Sequence, residues 1–221
     1  GGAGFIGSHA AERLLFDGER IVIVDDFNAF YSTKKKQANI AGFATHPKCI
    51  VVKADIRNSS AMKRLFSKHK INRVVHLAGL PGVRNSVENP RDYFDVNVNG
   101  TANLLDLSRL QKVSQFVFAS TSSVYGKAES FPTCETDSTE KQLSPYAASK
   151  KMGEVIGRSY FLSFALPVTC LRFFTVYGPR NRPDMAVYKF GNAIFNQKPL
   201  TMFGDGNSKR DYTFVQDVAD S

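Results

Sequence analysis

The chain has few of the residues that define several classes of protein. Of its 221 residues, three are cysteine, nine are proline and sixteen are glycine. Cys49, Cys134 and Cys170 are odd in number and far apart, which matches neither a disulfide framework nor a zinc spacing. Proline and glycine are too scarce for a low-complexity array, and no internal repeat is visible. We therefore expect a globular protein with reduced cysteines, located in the cytoplasm.

Long apolar runs are also absent. No uninterrupted stretch approaches the roughly 20 residues that a membrane span requires. The first residues carry no basic segment followed by an apolar one, as a signal peptide would. We expect the visible chain to be soluble and to have no membrane partner.

Positive charge exceeds negative charge. The formal net charge is +9 and the isoelectric point is about 9.5, which favours anionic partners in general. The basic residues are spread along the chain and are not interleaved with aromatic residues that could stack on bases. We interpret clusters such as 34–36 and 63–70 as solvated faces, and expect no nucleic-acid partner.

Short apolar runs alternate with helical patterns along most of the chain. Near-continuous apolar strands that are separated by helices indicate a parallel sheet with helices on both faces. The predicted fold class is therefore α/β, a doubly wound parallel sheet of the Rossmann type. The strands are expected at 21–24, 50–52, 74–77, 116–119 and 168–173, and the main helices at 59–68, 90–110 and 146–162.

The pattern changes near Thr175, where prolines and glycines begin to interrupt the apolar segments. We predict a dinucleotide-binding domain at 1–174 and the beginning of a smaller substrate-binding region at 175–221. A glycine loop such as that at 1–7 normally follows a strand, and none precedes it here. The sequence is therefore interpreted as a fragment that lacks the first strand of its sheet and the rest of the second region.

Gly1, Gly4 and Gly7 are spaced for a phosphate-binding loop at the start of a helix. Missing side chains let backbone amides approach a pyrophosphate. Asp25 lies 18 residues beyond Gly7, at the end of the next strand, where an acid accepts hydrogen bonds from a ribose. A carboxylate there favours NAD over NADP, since no arginine lies near Asn28 to hold a 2′-phosphate; the lysines at 34–36 are the only alternative cation.

Tyr146 and Lys150 are spaced so that both side chains lie on one face of a helix. An ammonium group there stabilises a phenolate and is expected to lower the pKa of the tyrosine. Tyr31 and Lys35 have the same spacing but occupy a basic polar segment. We prefer Tyr146 and Lys150 because of what the preceding strand carries.

That strand, at 116–119, is followed by Ser120, Thr121, Ser122 and Ser123. Open α/β sheets bind ligands at the carboxyl ends of their strands. A hydroxyl from the strand end and a phenol from the next helix are therefore expected to converge on one substrate alcohol.

Together these motifs resemble the extended short-chain dehydrogenase/reductase family, and within it the nucleotide-sugar epimerases of the UDP-glucuronate 4-epimerase type. The resemblance covers the whole chain. Its motifs are GGAGFIG at 1–7, Asp25, ASTSSVYG at 119–126, YAASK at 146–150, RFFTVYGP at 172–179, RPDM at 182–185 and KRDYT at 209–213.

The resemblance implies inversion of C4 of a UDP-hexuronic acid, from UDP-glucuronate to UDP-galacturonate, with bound NAD. Tyr146 would remove the 4-hydroxyl proton with help from Thr121, giving a 4-keto sugar that turns and is reduced on its other face. Lys150 would orient the nicotinamide ribose and tune Tyr146. No metal is implied.

The implied binding residues fall into two sets. The cofactor set is Gly1, Gly4, Phe5, Ile6, Gly7, Asp25, Asn28, Asp55, Ile56, Leu77, Ala78, Asn97, Tyr146 and Lys150. The substrate set is Arg84, Thr121, Ser122, Ser123, Tyr146, Thr175, Arg182 and Arg210.

Several of these residues have individual expected roles. Arg182 is the candidate for the hexuronate carboxylate, ahead of Arg180 and Arg84, because a guanidinium can bind a carboxylate bidentately. Arg210 resembles the diphosphate contact of the family. Asn97 is expected to support the catalytic helix or the nicotinamide side. His76 and His9 are expected to be core residues.

Other activities stay open. Related dehydratases carry an Asp-Glu pair at Ser122 and Ser123, and related decarboxylases carry Glu at Ser123, so both are disfavoured. Another NAD-dependent 4-epimerase, acting on UDP-glucose or UDP-N-acetylglucosamine, and a non-catalytic NAD-binding module are the alternatives. The resemblance also implies a homodimer joined through the helices at 90–110 and 146–162.

Overall fold

The fold is taken from a computed structural model, which describes residues 1–127, 131–201, 204–207 and 209–221. The chain forms two compact units. The first unit comprises Gly1 and residues 53–173, and the second comprises residues 2–52 and 174–221.

Helices and strands alternate through both units. In chain order they are α1 (Phe5–Phe16), β1 (Ile21–Asp25), α2 (Thr33–Ile40), β2 (Cys49–Lys53), α3 (Ser59–Lys68), β3 (Arg73–His76), α4 (Val83–Glu88), α5 (Pro90–Phe94), a π-helical segment (Asp95–Asn99), α6 (Gly100–Gln111), β4 (Gln115–Ala119), a 3₁₀ turn (Ser122–Tyr125), α7 (Pro145–Phe164), β5 (Val168–Leu171), β6 (Thr175–Tyr177), α8 (Ala186–Phe195), β7 (Tyr212–Phe214) and α9 (Val215–Asp220).

The first unit is built on a parallel sheet with the strand order β3, β4, β5. Phe116 and Phe118 of the central strand are almost completely buried, as are Met62 and Leu105 from neighbouring helices. The apolar character of β4 on both faces is what a strand buried between helices requires. This sheet places the carboxyl ends of three strands at one edge.

The second unit contains two smaller sheets, β1 with β2 and the parallel pair β6 with β7. Its core is apolar and is formed mainly by α1, β1 and the residues around α2. The buried residues of this core are Ala3, Ala11, Leu15, Ile23, Ile40, Phe43 and Cys49.

The predicted α/β class with parallel strands is confirmed, and two predicted boundaries are wrong. The strand expected at 168–173 ends at Leu171, because its pairing partner β4 ends at Ala119, the residue opposite Leu171. The helix expected at 90–110 is interrupted by the π-helical segment, which carries Asn97. The division into a dinucleotide-binding domain at 1–174 and a substrate region at 175–221 stays a prediction.

Two expectations drawn from absences concern cysteine and membrane spans. Cys49, Cys134 and Cys170 are all free thiols. Within the described ranges, no helix combines the length and the apolar character that crossing a bilayer would need.

The close packing of α7 on β4 predicts how a substitution at Gly153 changes the stability of the protein. A Cβ atom at Gly153 would lie 2.3 Å from Cζ of Phe118, whereas a Cβ at Gly191 in α8 would meet nothing within 4 Å. Gly153→Ala should therefore destabilise the protein by about 1–3 kcal/mol, since the buried ring must move. Gly191→Ala should be neutral or stabilising by up to about 1 kcal/mol, because alanine favours helix. Urea unfolding measures both, and equal effects would contradict this account of the packing.

Candidate active site

The carboxyl end of β4 carries the predicted catalytic hydroxyl. The strand ends at Ala119, and Thr121 begins the 3₁₀ turn with its Oγ1 accepting a hydrogen bond from the Ser123 amide at 3.2 Å. The Ser122 amide donates to the carbonyl oxygen of Phe173 at 2.8 Å, beyond the end of β5. Thr121 is buried and the two serines are half-buried, so the strand end holds all three in fixed backbone positions.

Tyr146 lies in the first turn of α7. The helix begins there because Ser144 caps it, accepting from the Ala147 amide, and Pro145 occupies the first helical position. The ring of Tyr146 packs edge-to-face on Tyr93 at 6.2 Å between centroids. The hydroxyl of Tyr93 in turn donates to the carbonyl oxygen of Pro81 at 2.5 Å. These contacts restrict the orientation of the Tyr146 ring.

Lys150 lies one helical turn beyond Tyr146 and is buried. Its Nζ donates to the carbonyl oxygen of Ala119 at 2.9 Å and lies 5.1 Å from the centroid of the Phe118 ring. Burial lowers the pKa of Lys150 to about 8. The ammonium group is therefore still the main form at neutral pH, and it is fixed to the strand end from which Thr121 emerges.

Asn97, in the π-helical segment, connects the loop after β3 to α7. Its Oδ1 accepts from the Leu80 amide at 2.7 Å, and its Nδ2 donates to the Leu80 carbonyl oxygen at 3.1 Å and to Ser149 Oγ at 3.0 Å. Ser149 Oγ donates to the carbonyl oxygen of Tyr146 at 2.8 Å. Asn97 therefore supports α7, the predicted catalytic helix, and a contact of Asn97 with the nicotinamide stays a prediction.

The loop after β3 approaches these groups closely. A Cβ atom at Gly79 would lie 2.9 Å from Oδ1 of Asn97 and 3.1 Å from Nζ of Lys150. A Cβ at Gly1 would lie 2.5 Å from the amide nitrogen of Ala78. Only glycine fits at position 1, where a Cβ would meet the backbone of Leu77 and Ala78, and a Cβ at position 79 would displace the buried ends of Asn97 and Lys150.

His76 is a core residue, as expected. Its Nε2 bonds to Thr101 Oγ1 at 2.9 Å, and Thr101 donates to the Asn97 carbonyl oxygen at 2.6 Å, so the imidazole is the donor. Complete burial, with the Lys150 charge as a smaller cause, lowers the pKa of His76 well below 6.5. The neutral ring therefore supports the π-helical segment. His9 in the second unit is likewise buried and bonds to the Pro179 carbonyl oxygen at 3.0 Å.

The second unit contains the glycine loop. Gly4 is the N-cap of the twelve-residue helix α1, whose first turn includes Phe5, Ile6 and Gly7. No side chain caps this end and its first turn holds no acidic residue. The N-terminal amides and the positive end of the helix dipole are thus arranged as a pyrophosphate requires.

Asp25 fixes the backbone of this loop. Its Oδ2 accepts from the Ala3 amide at 3.1 Å and its Oδ1 from the Phe27 amide at 2.8 Å, while Lys36 Nζ lies 3.7 Å from Oδ1. Asn39 donates to the carbonyl oxygen of Ala3 at 3.1 Å. Asp25 is itself buried, and its contact with a ribose stays a prediction. The contacts of Lys36 and Asn39 with this loop were not predicted from the sequence. Their positions on α2, the helix that follows β1, were the only available signal.

The rejected Tyr31 and Lys35 pair does not form. Lys35 bonds to the hydroxyl of Tyr188, while the Tyr31 ring faces Lys36 with 5.2 Å between Nζ and the ring centroid. Burial, and then the charge of Asp25, raise the pKa of Tyr31 to about 12. This phenol is therefore not activated.

Three other predicted cofactor residues have partners in the protein. Asp55 binds the guanidinium of Arg57, which also contacts Asp95 at 2.7 Å, and the hydrogen bond from Arg57 lowers the pKa of Asp55. Ile56 is buried, and its carbonyl oxygen accepts from Asn103 at 2.6 Å. Asn28 is exposed, and its Oδ1 accepts from the Phe30 amide at 2.7 Å.

The predicted substrate arginines lie in different surroundings. Arg182 makes a bidentate contact with Asp184, at 3.0 Å for each bond, which the sequence did not indicate. Its rival Arg180 pairs with Glu12 at 2.7 Å. Arg210 and Arg84 are exposed, the latter on α4.

The structure thus brings Thr121, Tyr146, Lys150 and Asn97 together in the first unit. In the second unit it brings the glycine loop together with Asp25, and places Thr175 at the start of β6, its amide donating to the Asp211 carbonyl oxygen at 3.3 Å. Among the described residues, no group of three or more His, Cys, Asp or Glu side chains is arranged to hold a metal ion.

All of residues 1–221 match the NAD dependent epimerase/dehydratase family, and the chain belongs to this family. A UDP-glucuronate 4-epimerase of Thermodesulfobacterium geofontis is 40% identical over 219 residues, covering 99% of this chain and 68% of the relative. Protein CapI of Staphylococcus aureus is 40% identical over 221 residues, covering 100% of this chain and 66% of the relative.

Comparison with solved structures also finds a UDP-glucuronic acid 4-epimerase. A UDP-glucuronic acid 4-epimerase of Bacillus cereus, in complex with UDP-glucuronic acid and NAD, superposes with a TM-score of 0.92 at 37% identity. The match covers 98% of this chain and 68% of that one. The chain spans about two thirds of the length of the relatives it matches.

The buried ammonium group makes a prediction about stability. In the pH range between about 8 and 10.5, the unfolded chain keeps a proton on Lys150 that the folded chain has lost. Stability attributable to this residue should therefore rise with pH. The free energy of unfolding of the ligand-free protein, minus that of Lys150→Met, should increase by up to about 3 kcal/mol from pH 7 to 10.5. Urea unfolding at several pH values measures the difference, and a flat difference would refute the burial of this charge.

Proposed function

We propose that this protein is a UDP-glucuronate 4-epimerase that interconverts UDP-glucuronate and UDP-galacturonate. The observation that carries the proposal is the bond from Lys150 to the Ala119 carbonyl oxygen. It fixes an ammonium group to the strand end that precedes Thr121, one helical turn from Tyr146. Membership of the NAD dependent epimerase/dehydratase family and the similarity to UDP-glucuronate 4-epimerases support the choice of reaction.

NAD is the proposed cofactor. The uncapped N-terminus of α1 suits its pyrophosphate, and Asp25 suits the adenosine ribose. The remaining predicted contacts, including Asp55, Leu77 and Lys150, belong to the same proposal. When bound, NAD supplies the reversible oxidation of the sugar alcohol at C4.

The side chains of the first unit perform the proton transfer in this proposal. Tyr146, as a phenolate, takes the proton of the 4-hydroxyl and returns it to the same oxygen after the sugar has turned. Lys150 stabilises the phenolate electrostatically, because its charge is held in a buried site where solvent screens it little. Thr121 contributes a hydroxyl to the same substrate oxygen. Tyr93 and Ser149 hold the tyrosine in place.

Arg182 is the proposed contact for the hexuronate carboxylate. Its Nε and one terminal nitrogen are taken up by Asp184, so the substrate carboxylate either uses the remaining N–H groups or displaces Asp184. Arg84, Ser122, Ser123 and Thr175 complete the proposed sugar contacts. Arg210 is the proposed contact for the diphosphate.

Epimerisation is favoured over elimination or decarboxylation by two hydroxyl side chains. Ser122 and Ser123 occupy the positions where the resemblance places carboxyl groups in those enzymes, and neither can act as the additional acid or base. We also propose a domain boundary near Thr175 and a cytoplasmic location.

We further propose a homodimer that pairs through α6 and α7. Large apolar side chains are exposed on these two helices, including Leu110, Val155, Phe161 and Leu162. Such a concentration of apolar surface is typical of an interaction face.

Replacement of the phenol tests the mechanism. Tyr146→Phe should lower kcat for the conversion of UDP-glucuronate to UDP-galacturonate by about 100- to 10,000-fold, since the proton acceptor is lost. NAD binding should persist. Product analysis by NMR measures the rate, with Tyr160→Phe on the same helix as the control. Near-normal turnover of the Tyr146 variant would rule out the proposed mechanism.

Selectivity between two substrates tests the proposed contact of Arg182 with the hexuronate carboxylate. Arg182→Ala should lower kcat/KM for UDP-glucuronate about 10- to 100-fold more than for UDP-glucose, because only the first has a carboxylate to lose its partner. Arg180→Ala, which breaks an ion pair with Glu12, should leave the ratio of the two substrates unchanged. Steady-state kinetics on both substrates measure the ratio, and equal losses on both would remove the assignment.

A further inference from the structure

A buried ionic network lies directly behind the predicted catalytic groups of the first unit. Glu154 is on α7, one turn beyond Lys150 and two beyond Tyr146, and is only 8% exposed. Its Oε1 accepts from Ser120 Oγ at 2.5 Å, and Ser120 immediately precedes Thr121. The carboxylate of Glu154 thus bonds to the same strand end that Lys150 reaches through Ala119.

Arg172, the first residue after β5, completes this network. Its Nε and Nη2 contact the two oxygens of Glu154 at 3.0 Å each, in a bidentate arrangement. Its Nη1 donates to the Tyr125 hydroxyl at 3.2 Å and to the Glu135 carbonyl oxygen at 3.0 Å. The guanidinium also lies 4.9 Å from the centroid of the Tyr125 ring. Arg172 therefore joins α7 to the far end of the 3₁₀ turn that begins after Thr121.

A buried ion pair is an expensive way to fill this space. Removing two charges from water costs several kcal/mol, and apolar side chains of similar volume often stabilise a protein as well or better. What an ion pair adds is direction, because a bidentate contact is satisfied in only one relative placement of its partners. The placement at stake here is that of α7 relative to the end of β4.

We propose that Glu154, held by Arg172, is a positioning residue of the epimerase, which fixes the strand end bearing Thr121 to the helix bearing Tyr146 and Lys150. The proposal rests on the proposed function. It assigns no contact with substrate or cofactor to Glu154. A misplacement of about 1 Å in a catalytic group can cost a factor of about 100 in rate, which is the effect such a residue prevents.

Lys150 itself reports whether the strand end has moved. Burial keeps its pKa at about 8, and a displaced strand end shifts that value: loss of the Ala119 carbonyl lowers the pKa while Nζ stays buried, and entry of water raises it toward 10.5. Three neighbouring groups do not obscure the titration. His76 is neutral, the bond to Glu154 raises the pKa of Arg172, and burial raises the pKa of the Cys170 thiol to about 11. An NMR titration of the protein labelled with ¹³Cε-lysine, with Lys150 assigned by Lys150→Met, gives the pKa directly.

The experiment compares graded variants of the network in the full protein. Glu154→Gln keeps an acceptor for Ser120 and should reduce kcat for UDP-glucuronate about 10-fold, whereas Glu154→Leu should reduce it about 100-fold. KM should change less than about threefold in both. Ser120→Ala, which removes one hydrogen bond and keeps the ion pair, serves if Glu154→Leu does not fold. Asp17→Asn makes the same carboxylate-to-amide change in the exposed ion pair with Arg13 and should alter nothing.

Each outcome decides the proposal. A reduced kcat together with a Lys150 pKa displaced from about 8 in the folded variants, including Ser120→Ala, which keeps the charge of Glu154, supports it. Lower thermal stability with an unchanged Lys150 pKa, or with unchanged kcat in the folded protein, would show that the network only stabilises the fold. A wild-type protein that does not epimerise UDP-glucuronate would defeat the proposed function, while the Lys150 titration would still decide the role of Glu154.

Discussion

The arrangement of the first unit depends on one hydrogen bond, from the buried ammonium of Lys150 to the carbonyl oxygen of Ala119. It joins the second turn of a twenty-residue helix to the end of the central strand, and Tyr146 and Thr121 lie on or directly after these two elements. The charge is costly to bury, and burial lowers the pKa of Lys150 accordingly. Burial also strengthens the effect of this charge, because solvent screens a buried cation little from a neighbouring phenol.

Most of the surrounding contacts restrict the same two elements. Asn97 connects the loop after β3 to α7 through Ser149, and Glu154 with Arg172 connects α7 to the strand end from the other side of Lys150. Glycine at position 79 lets that loop approach Asn97 and Lys150 closely. The proposed epimerisation needs rigid catalytic groups, because in that reaction the substrate and not the protein has to turn.

The second unit holds a glycine-rich loop in one conformation. Glycine is the most flexible residue, so the loop must be fixed by its neighbours. Asp25 and Asn39 bind the amide of Ala3 and the carbonyl oxygen of Ala3, and Lys36 offsets the charge of Asp25. The acid expected to bind a ribose therefore also maintains the loop, and its replacement would affect both roles.

The sequence by itself determined the α/β class, most of the strands and the residues of the YAASK helix, because apolar periodicity and fixed local spacing encode them directly. It also indicated that His76 is a core residue, since it lies in an apolar strand. Local pattern could not reveal that Glu154 bonds to Ser120, that Arg182 faces Asp184 or that the helix at 90–110 contains a π-helical segment. Except for that segment, these are contacts between side chains whose partners are chosen by packing. Only the tertiary structure decided them, because the free energy of a buried polar group depends on what the fold places beside it.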